Sequence, residues 1–174
     1  MSIYLGIDPG ANGGMAALTN KLVYIQPLSN LTLQETYHLL QAWTMDEGKI
    51  IACMEQQDPR PTKWFSKEGK KWMSSILRST CILYGNYCKM EALLVALEAE
   101  YVLTPAKRWQ SGLNIKARAK KETNTSWKNR LKTKAQQLFP KQRVTLAICD
   151  ALLIAEYTRR EHLRNSGKNN QEEE

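Results

Sequence analysis

The fold is decided by Ile3-Tyr4-Leu5-Gly6-Ile7, an apolar run that stops at Asp8-Pro9-Gly10. Asp, Pro and Gly in succession are typical of a turn, so the run is predicted to be a short β-strand ending near Asp8. Residues 13–18 and 22–25 are two further strand candidates, and Thr19-Asn20-Lys21 between them is typical of a tight hairpin. The chain therefore opens with a three-stranded antiparallel unit.

Helices and strands alternate after this unit. Ser29 or Asn30 can cap the first helix, whose buried face is predicted to include Leu33, Tyr37, Leu40 and Trp43. A strand–helix–strand crossover places its two strands parallel in one sheet. The fold class is therefore α/β, with a mixed five-stranded sheet and helices on both faces. The later predicted elements are helix 31–45, strand 49–54, helix 72–99, strand 101–103 and helices 106–110, 126–139 and 146–164.

Length and composition bound the organisation of the chain. Its 174 residues fit one core, so residues 1–164 are predicted to form a single domain. Residues 165–174 are polar and are predicted to be a disordered tail. No apolar run approaches the roughly 20 residues of a membrane span, and the first residues lack a signal-peptide pattern. We expect a cytoplasmic protein without a membrane partner.

The four cysteines, at positions 53, 81, 88 and 149, form no close pair with metal-ligand spacing. Cys53 and Cys149 lie in apolar stretches, where a free cysteine behaves as a small hydrophobic residue. We therefore expect reduced thiols rather than disulfides or structural zinc.

The positive charge is concentrated in one segment. Residues 105–143 contain twelve Lys or Arg and one acid, Glu122, whereas the rest of the chain has thirteen bases and sixteen acids. Such a segment can be a solvated helix face, but its one-sided charge favours a nucleic-acid partner, because each Lys or Arg that contacts a phosphate releases condensed counterions.

Three acids occupy positions that suit a shared site. Asp8 and Glu55 each follow a predicted strand, and sites in open α/β sheets form beyond the carboxyl ends of strands. Asp150 lies in an apolar stretch at the start of the last helix, where an unpartnered charge is costly. Converging carboxylates repel one another, and oxygen-only ligands suit Mg²⁺ or Mn²⁺. Two such ions about 4 Å apart can hydrolyse a phosphodiester.

Each acid also has a simpler interpretation. Asp8-Pro9-Gly10 is a good turn without chemistry, Glu55 can be a salt-bridge partner, and Asp150 can cap the last helix. A glycosidase-like pair of carboxylates fits less well beside so basic a surface. The combination of all three acids favours the metal site.

These residues resemble the RuvC-type Holliday junction resolvases, particularly the phage-like branch, within the RNase H-like or retroviral integrase superfamily. The resemblance covers roughly residues 3–160. Its pieces are Gly6-Ile7-Asp8-Pro9-Gly10 with Gly13-Gly14, Met54-Glu55-Gln56, Tyr84-Gly85, Pro105 with Trp109, Leu138-Phe139-Pro140 and Asp150-Ala151-Leu152-Leu153-Ile154-Ala155-Glu156-Tyr157.

The resemblance implies that the mixed sheet is RNase H-like. It also implies a crossover junction endodeoxyribonuclease, a homodimer that makes paired incisions in four-way DNA junctions with Mg²⁺ or Mn²⁺ and needs no nucleotide cofactor. It implies that Asp8, Glu55 and Asp150 are metal ligands. The family usually has a fourth ligand three residues before the last Asp, but Ala147 stands there. Glu156 is a poor substitute, because six residues at 100° each turn it about 120° away from Asp150 on the helix.

A basic residue near the scissile phosphate is also implied. Lys128, at the start of a predicted helix, fits best among five candidates: Lys107, Arg108, Lys116, Lys121 and Lys128. The interleaved basic and aromatic residues after Glu55 suit binding to unpaired nucleotides, although the aromatic side chains can instead cover the core. The predicted DNA-binding residues are Arg60, Lys63, Trp64, Phe65, Lys107, Arg108, Lys116, Arg118, Lys120 and Lys121.

Two other functions stay open at this point. One is a nuclease of the same fold acting on other branched or flapped DNA. The other is a junction-binding protein with weakened catalysis, which the alanine at position 147 keeps open.

Overall fold

The computed structural model describes residues 2–29, 31–45, 48–57 and 70–169. Within these residues the strands are β1 (Ser2–Asp8), β2 (Gly14–Leu18), β3 (Val23–Pro27), β4 (Lys49–Glu55) and β5 (Glu100–Thr104). The helices are α1 (Leu33–Met45), α2 (Lys70–Ala96), α3 (Ala106–Gly112), α4 (Asn124–Leu138) and α5 (Cys149–Asn169).

The strands form one mixed sheet in the order β3-β2-β1-β4-β5. The first three strands are antiparallel neighbours, whereas β1–β4 and β4–β5 are parallel. Ile7 pairs with Met54, so Asp8 and Glu55 follow at the same edge of the sheet. This arrangement confirms the predicted α/β class and the RNase H-like sheet.

Side chains alternate between the two faces of the sheet and bury a separate core on each. On one face, Leu5 and Ile7 of β1 pack with residues of α1 and α2 such as Leu40 and Leu94. On the other face, Tyr4 of β1 packs with residues of α3, α4 and α5. The prediction of helices on both faces is therefore confirmed. None of the helices that the structure describes combines the length and the apolar character that a membrane span requires.

Helix α5 lies directly on the central strand because Gly6 has no side chain. A Cβ atom at Gly6 would come within 2.1 Å of the Ala155 amide nitrogen and 2.3 Å of the Ala151 carbonyl oxygen. Both are backbone atoms of α5 and cannot rotate away. The glycine therefore sets the distance between β1 and α5, and this contact brings Asp150, the neighbour of Ala151, to the end of β1 that carries Asp8.

The start of α1 differs from the prediction that Ser29 or Asn30 caps it. The cap is Thr32, whose Oγ1 accepts a hydrogen bond from the Glu35 amide at 3.2 Å, while the Glu35 carboxylate accepts one from the Thr32 amide at 2.8 Å. This reciprocal pair is a capping box. Because the helix begins at Leu33, that residue lies at the exposed helix end and is 49% exposed rather than buried.

The other helix boundaries differ by a few residues. Helix α2 ends at Ala96, earlier than predicted, and Glu98 follows with a positive φ of 51°. It continues without a break through Gly85. Helix α5 begins later than predicted and continues to Asn169, past the predicted end at Arg164. The Arg164–Glu161 ion pair and the Ser166 Oγ–His162 O bond stabilise these last turns.

The β1–α5 contact is tested by Gly6→Ala. We expect this single methyl group to cost more than about 3 kcal/mol of unfolding free energy, because backbone atoms of α5 or β1 would have to move. The measurement is urea unfolding followed by circular dichroism. Gly85→Ala is the matched control: nothing lies within 4 Å of its added Cβ, and it should stabilise the helix by about 1 kcal/mol. Equal effects of the two variants would contradict the role given to Gly6.

Candidate functional site

Asp8 serves as a turn residue and lines a cleft at the same time. Its Oδ1 accepts a hydrogen bond of 2.9 Å from the Gly10 amide, and the Gly13 amide donates to the Gly10 carbonyl at 2.9 Å. A Cβ atom at Gly13 would come within 2.0 Å of the Asp8 carbonyl oxygen, so this tight turn needs glycine. The turn interpretation and the site interpretation of Asp8 are therefore compatible.

Glu55 is held by two donors at the end of β4. The indole Nε1 of Trp109 donates to Oε2 at 2.9 Å, and the side-chain Nε2 of Gln57 donates to Oε1 at 3.3 Å. Trp109 lies on α3 and is completely buried. An indole N–H can only donate, so this bond orients the carboxylate without adding a charge.

Asp150 lies in the first turn of α5 and forms an ion pair with Lys128 of α4. The Asp150 side chain is 7% exposed, whereas that of Lys128 is 36% exposed. The Cys149 thiol donates to Asp150 Oδ1 at 3.3 Å, a weak bond. The buried carboxylate therefore has a cationic partner, as the apolar sequence around it requires.

One open cleft of about 570 Å³ brings these groups together. Asp8, Glu55, Lys128 and Asp150 all line it, together with the turn residues Gly10, Asn12 and Gly13 and the residues Gln57, Leu146 and Ala147. The structure thus places the three predicted acids and the predicted lysine around the same space, although they come from β1, β4, α4 and α5.

Burial and mutual repulsion raise the pKa values of two acids in this cleft. Burial raises the pKa of Asp8 above its ordinary 3.8, and the Asp150 charge raises it further. Burial also raises the pKa of Glu55 to about 7, with a further contribution from Asp8, although the Trp109 hydrogen bond acts in the opposite direction. The cleft therefore holds more negative charge than its protein partners compensate.

Among the described residues that line the cleft, Lys128 supplies a cation. Burial lowers its pKa, but Asp150 and Asp8 raise it by more, so the net pKa lies above the ordinary 10.5. Lys128 is therefore charged at neutral pH and can neutralise an anion in the cleft.

The chemical type of these acids suits a hard divalent cation, since carboxylate oxygens are the ligands that Mg²⁺ and Mn²⁺ prefer. The raised pKa values of Asp8 and Glu55 indicate that a further cation would be favourable here. In the described part of the chain, no three acidic, histidine or cysteine side chains are spaced to hold one ion. The ligand roles of Asp8, Glu55 and Asp150 stay a prediction.

The position of a fourth ligand is occupied by Ala147, which lines the cleft without a donor atom in its side chain. Glu156 does not replace it. Its carboxylate is buried and forms ion pairs with Arg159 at 2.9 Å and Arg160 at 2.8 Å. This placement agrees with the expectation that Glu156 points away from Asp150.

The predicted DNA-binding residues fall into three groups. Arg60, Lys63, Trp64 and Phe65 lie outside the described residues. Arg108 lines a second cavity of about 430 Å³ between β4, β5 and α5, with Tyr157 and His162, and does not line the cleft. The remaining members are exposed on α3 and on the loop that leads to α4: Lys107, Lys116, Arg118, Lys120 and Lys121.

Sequence reasoning assigned no role to Trp109, although it counted this residue in the family resemblance. The distance along the chain between Trp109 and Glu55 gives no signal of their hydrogen bond. Only the pairing of β4 with β5, in which Glu55 lies opposite Thr104, brings the start of α3 to the carboxylate. The ion pair between Glu122 and Arg130 was also not predicted.

Comparisons with known proteins add two structural similarities. No family model matches the sequence, and no curated protein matches it. The chain is similar to Thermus thermophilus RuvC (TM-score 0.48) and to T. thermophilus RuvC in complex with Holliday junction substrate (TM-score 0.49). Each has 12% sequence identity, and the match covers 94% of this chain and 96% of the other. At this identity the similarity assigns no role to any residue.

The raised pKa of Glu55 has a measurable consequence for stability. A carboxyl group with a pKa near 4.5 in the unfolded chain and about 7 in the folded protein binds more protons when folded, so unfolding free energy falls as pH rises from 4.5 through 7. In EDTA, Glu55→Gln should remove this loss and be about 2–3 kcal/mol more stable than the wild type at pH 8, but not at pH 4. Urea unfolding across this pH range measures it. Parallel pH profiles for the two proteins would contradict the assignment.

The Trp109 hydrogen bond is tested by Trp109→Phe, which keeps an aromatic ring but removes the N–H donor. Because that bond lowers the pKa of Glu55, its loss should raise this pKa further. The measurement is an NMR titration of carboxyl-labelled glutamate without divalent ions. Trp127→Phe, at another buried indole, is the control and should leave the titration of Glu55 unchanged. An unaltered Glu55 pKa in Trp109→Phe would show that the bond does not form.

Proposed function

We propose that this protein is a structure-selective endodeoxyribonuclease that hydrolyses phosphodiester bonds of branched DNA, with four-way junctions as its principal substrate. The observation that carries the proposal is the cleft in which Asp8, Glu55 and Asp150 meet Lys128. Three carboxylates and one ammonium suit phosphodiester hydrolysis better than acyl or glycosyl transfer, because a nucleic acid requires cations beside it and the nearby surface is basic.

Asp8, Glu55 and Asp150 would hold Mg²⁺ or Mn²⁺, two ions in the full site. Such ions, when bound, polarise a phosphodiester and lower the pKa of water. Asp8 and Glu55 belong to adjacent parallel strands, and Asp150 belongs to a helix that packs on the same strand pair. The ligands would therefore be supplied by rigid elements rather than by mobile loops.

Lys128 would contact the scissile phosphate. Its ammonium is charged at neutral pH and lies at the rim of the cleft with a third of its side chain exposed. From that position it can approach a phosphoryl oxygen while Asp150 keeps it oriented. A fixed positive charge beside the oxygens that gain charge lowers the barrier for hydrolysis.

Trp109 would position Glu55 rather than touch substrate, since its side chain is completely buried. Its neutral N–H fixes one carboxylate oxygen at 2.9 Å and leaves the negative charge in place for a cation. The exposed lysines and arginines of residues 107–121 would bind the DNA backbone beside the cleft.

Four-way junctions are proposed as the substrate from the sequence resemblance, and paired incisions would then require a homodimer with two clefts. A nuclease for flapped or otherwise branched DNA would use the same cleft, so substrate choice separates these two activities. The alanine at position 147 favours one further candidate, a junction-binding protein with weak cleavage, because one expected ligand is missing.

The proposal is tested with Asp8→Asn on a labelled synthetic four-way junction. With Mg²⁺ or Mn²⁺ we expect at least about a 100-fold loss of cleavage, because a neutral amide replaces a charged ligand. Binding in EDTA should be equal to that of the wild type or slightly tighter, because a negative charge is removed. Glu98→Gln, an exposed acid at the opposite end of the sheet, should cleave normally. Flapped and linear duplexes run in parallel report substrate choice.

The outcomes separate the candidates. A wild type that binds the junction but cuts no DNA with either ion would favour the binding protein. Cleavage that survives in Asp8→Asn would show that the cleft is not the site of hydrolysis.

A further inference from the structure

The loop between α3 and α4 carries four of the twelve basic residues of the basic segment, and it contains the one acid of that segment, Glu122. Lys116, Arg118, Lys120 and Lys121 are all exposed on this loop. Four cations within six residues repel one another, so the loop gains nothing from its own charges in holding a fixed shape. Other contacts must therefore hold the loop in a fixed conformation.

Glu122 and Arg130 supply that order through a two-point ion pair. Arg130 Nη2 lies 2.8 Å from Glu122 Oε2, and Arg130 Nε donates to Glu122 Oε1 at 3.2 Å. The planar guanidinium and the carboxylate thus meet in the parallel arrangement that gives Arg–carboxylate pairs their geometric specificity. The arginine lowers the pKa of Glu122, so the pair is ionised at neutral pH.

The same two residues also bind the backbone of the loop. Arg130 Nη1 donates to the Lys116 carbonyl at 2.8 Å and Nη2 donates to the Ala117 carbonyl at 3.4 Å. Glu122 Oε2 accepts from the Ala119 amide at 3.2 Å, and Arg118 Nε donates to the Glu122 carbonyl at 3.0 Å. The contacts at residues 116, 117 and 119 use the backbone, so the basic side chains of the loop stay exposed.

Helix α4 provides the support for this arrangement. The Arg130 guanidinium carbon lies 4.4 Å from the centre of the Trp127 ring, and Trp127 is buried in the core. Thr123 caps α4 by accepting a hydrogen bond of 3.1 Å from the Ser126 amide. The loop is therefore fixed to a helix that also carries Lys128 of the cleft.

We propose that Glu122 and Arg130 form a clamp that holds the basic loop 116–121 in the conformation that binds the phosphate backbone of branched DNA beside the cleft. This inference rests on the proposed function. The inference predicts that Glu122, although negatively charged, strengthens binding to DNA. A loop that is already ordered before binding loses less conformational entropy when it binds.

The distinguishing variant is Glu122→Gln, for which the clamp and simple electrostatics predict opposite signs. Removing the one acid of a basic segment should strengthen DNA binding if charge alone matters. The clamp instead predicts roughly tenfold weaker binding, since the loop must be ordered at the moment of binding. Dissociation constants for a fluorescent four-way junction are measured in EDTA at several salt concentrations. Glu98→Gln, which makes the same charge change far from the loop, is the control and should bind no more weakly than the wild type.

Arg130→Lys is the second variant, because it keeps the charge but loses the planar fork and the carbonyl contacts. We expect it to weaken binding to a similar degree. A DNA-free readout accompanies both variants: digestion by a Lys/Arg-specific protease, with fragments identified by mass. Cleavage after Lys116, Arg118, Lys120 or Lys121 should be several-fold faster in both variants than in the wild type, while circular dichroism shows unchanged folding.

The outcomes distinguish the clamp from the proposed function. If Glu122→Gln binds as tightly as the wild type or more tightly, or if the loop is digested no faster, the clamp is refuted while the nuclease stands. If the wild type binds the junction but does not cut it, weaker binding by both variants still supports the clamp. If the wild type binds no branched DNA, the role of the loop in binding fails together with the proposed function.

Discussion

The position of the cleft depends on the contact between α5 and the Gly6 backbone of β1. A strand and a helix that carry side chains at their crossing stay farther apart, but here the Ala151 carbonyl and the Ala155 amide occupy the space of a Cβ. The start of α5 then lies at the carboxyl end of β1, which brings Asp150 to Asp8. The parallel pairing of β1 and β4 independently brings Glu55 to the same edge. One packing distance and one strand register thus define the position of the cleft.

Collecting three acids in a partly buried cleft destabilises the fold, and the structure offsets only part of that cost. Lys128 compensates Asp150, and the Gly10 amide and the Trp109 indole each donate to one of the other acids. Neither donor carries a full charge, so the pKa values of Asp8 and Glu55 stay above their ordinary values. A site that fully neutralised its own acids would have little affinity for a divalent cation. The uncompensated negative charge of these acids would thus favour a cation in this cleft.

Local patterns in the sequence were sufficient for the mixed five-stranded sheet and for selecting three acids that line one cleft, whereas the role of these acids as metal ligands stays a prediction. Apolar runs ending at Asp8 and Glu55 identify both the strands and the edge where they end, because strand direction follows from the crossover rule. The cap of α1 at Thr32 was missed, although Thr32 and Glu35 have the capping-box spacing. Contacts such as Trp109–Glu55 could not be predicted, because they join residues far apart in sequence and depend on the exact placement of α3. The hydrogen bonds of Glu122 could not be predicted either, since composition shows one acid among basic residues but not that its carboxylate oxygens accept hydrogen bonds from the loop and from Arg130.

Helix α4 connects the two charged surfaces of the protein. Lys128 and Arg130 are two residues apart and therefore about 200° apart around the helix, so one faces the cleft while the other faces the basic loop. Trp127, Leu131 and Ala135 anchor the helix in the core between them. Under the proposed function, a rigid helix of this kind would fix the distance between Lys128 at the scissile phosphate and the cations of the loop on the flanking backbone. Since phosphates in a DNA strand are regularly spaced, a fixed distance between these cations would favour one register of the backbone over its neighbours.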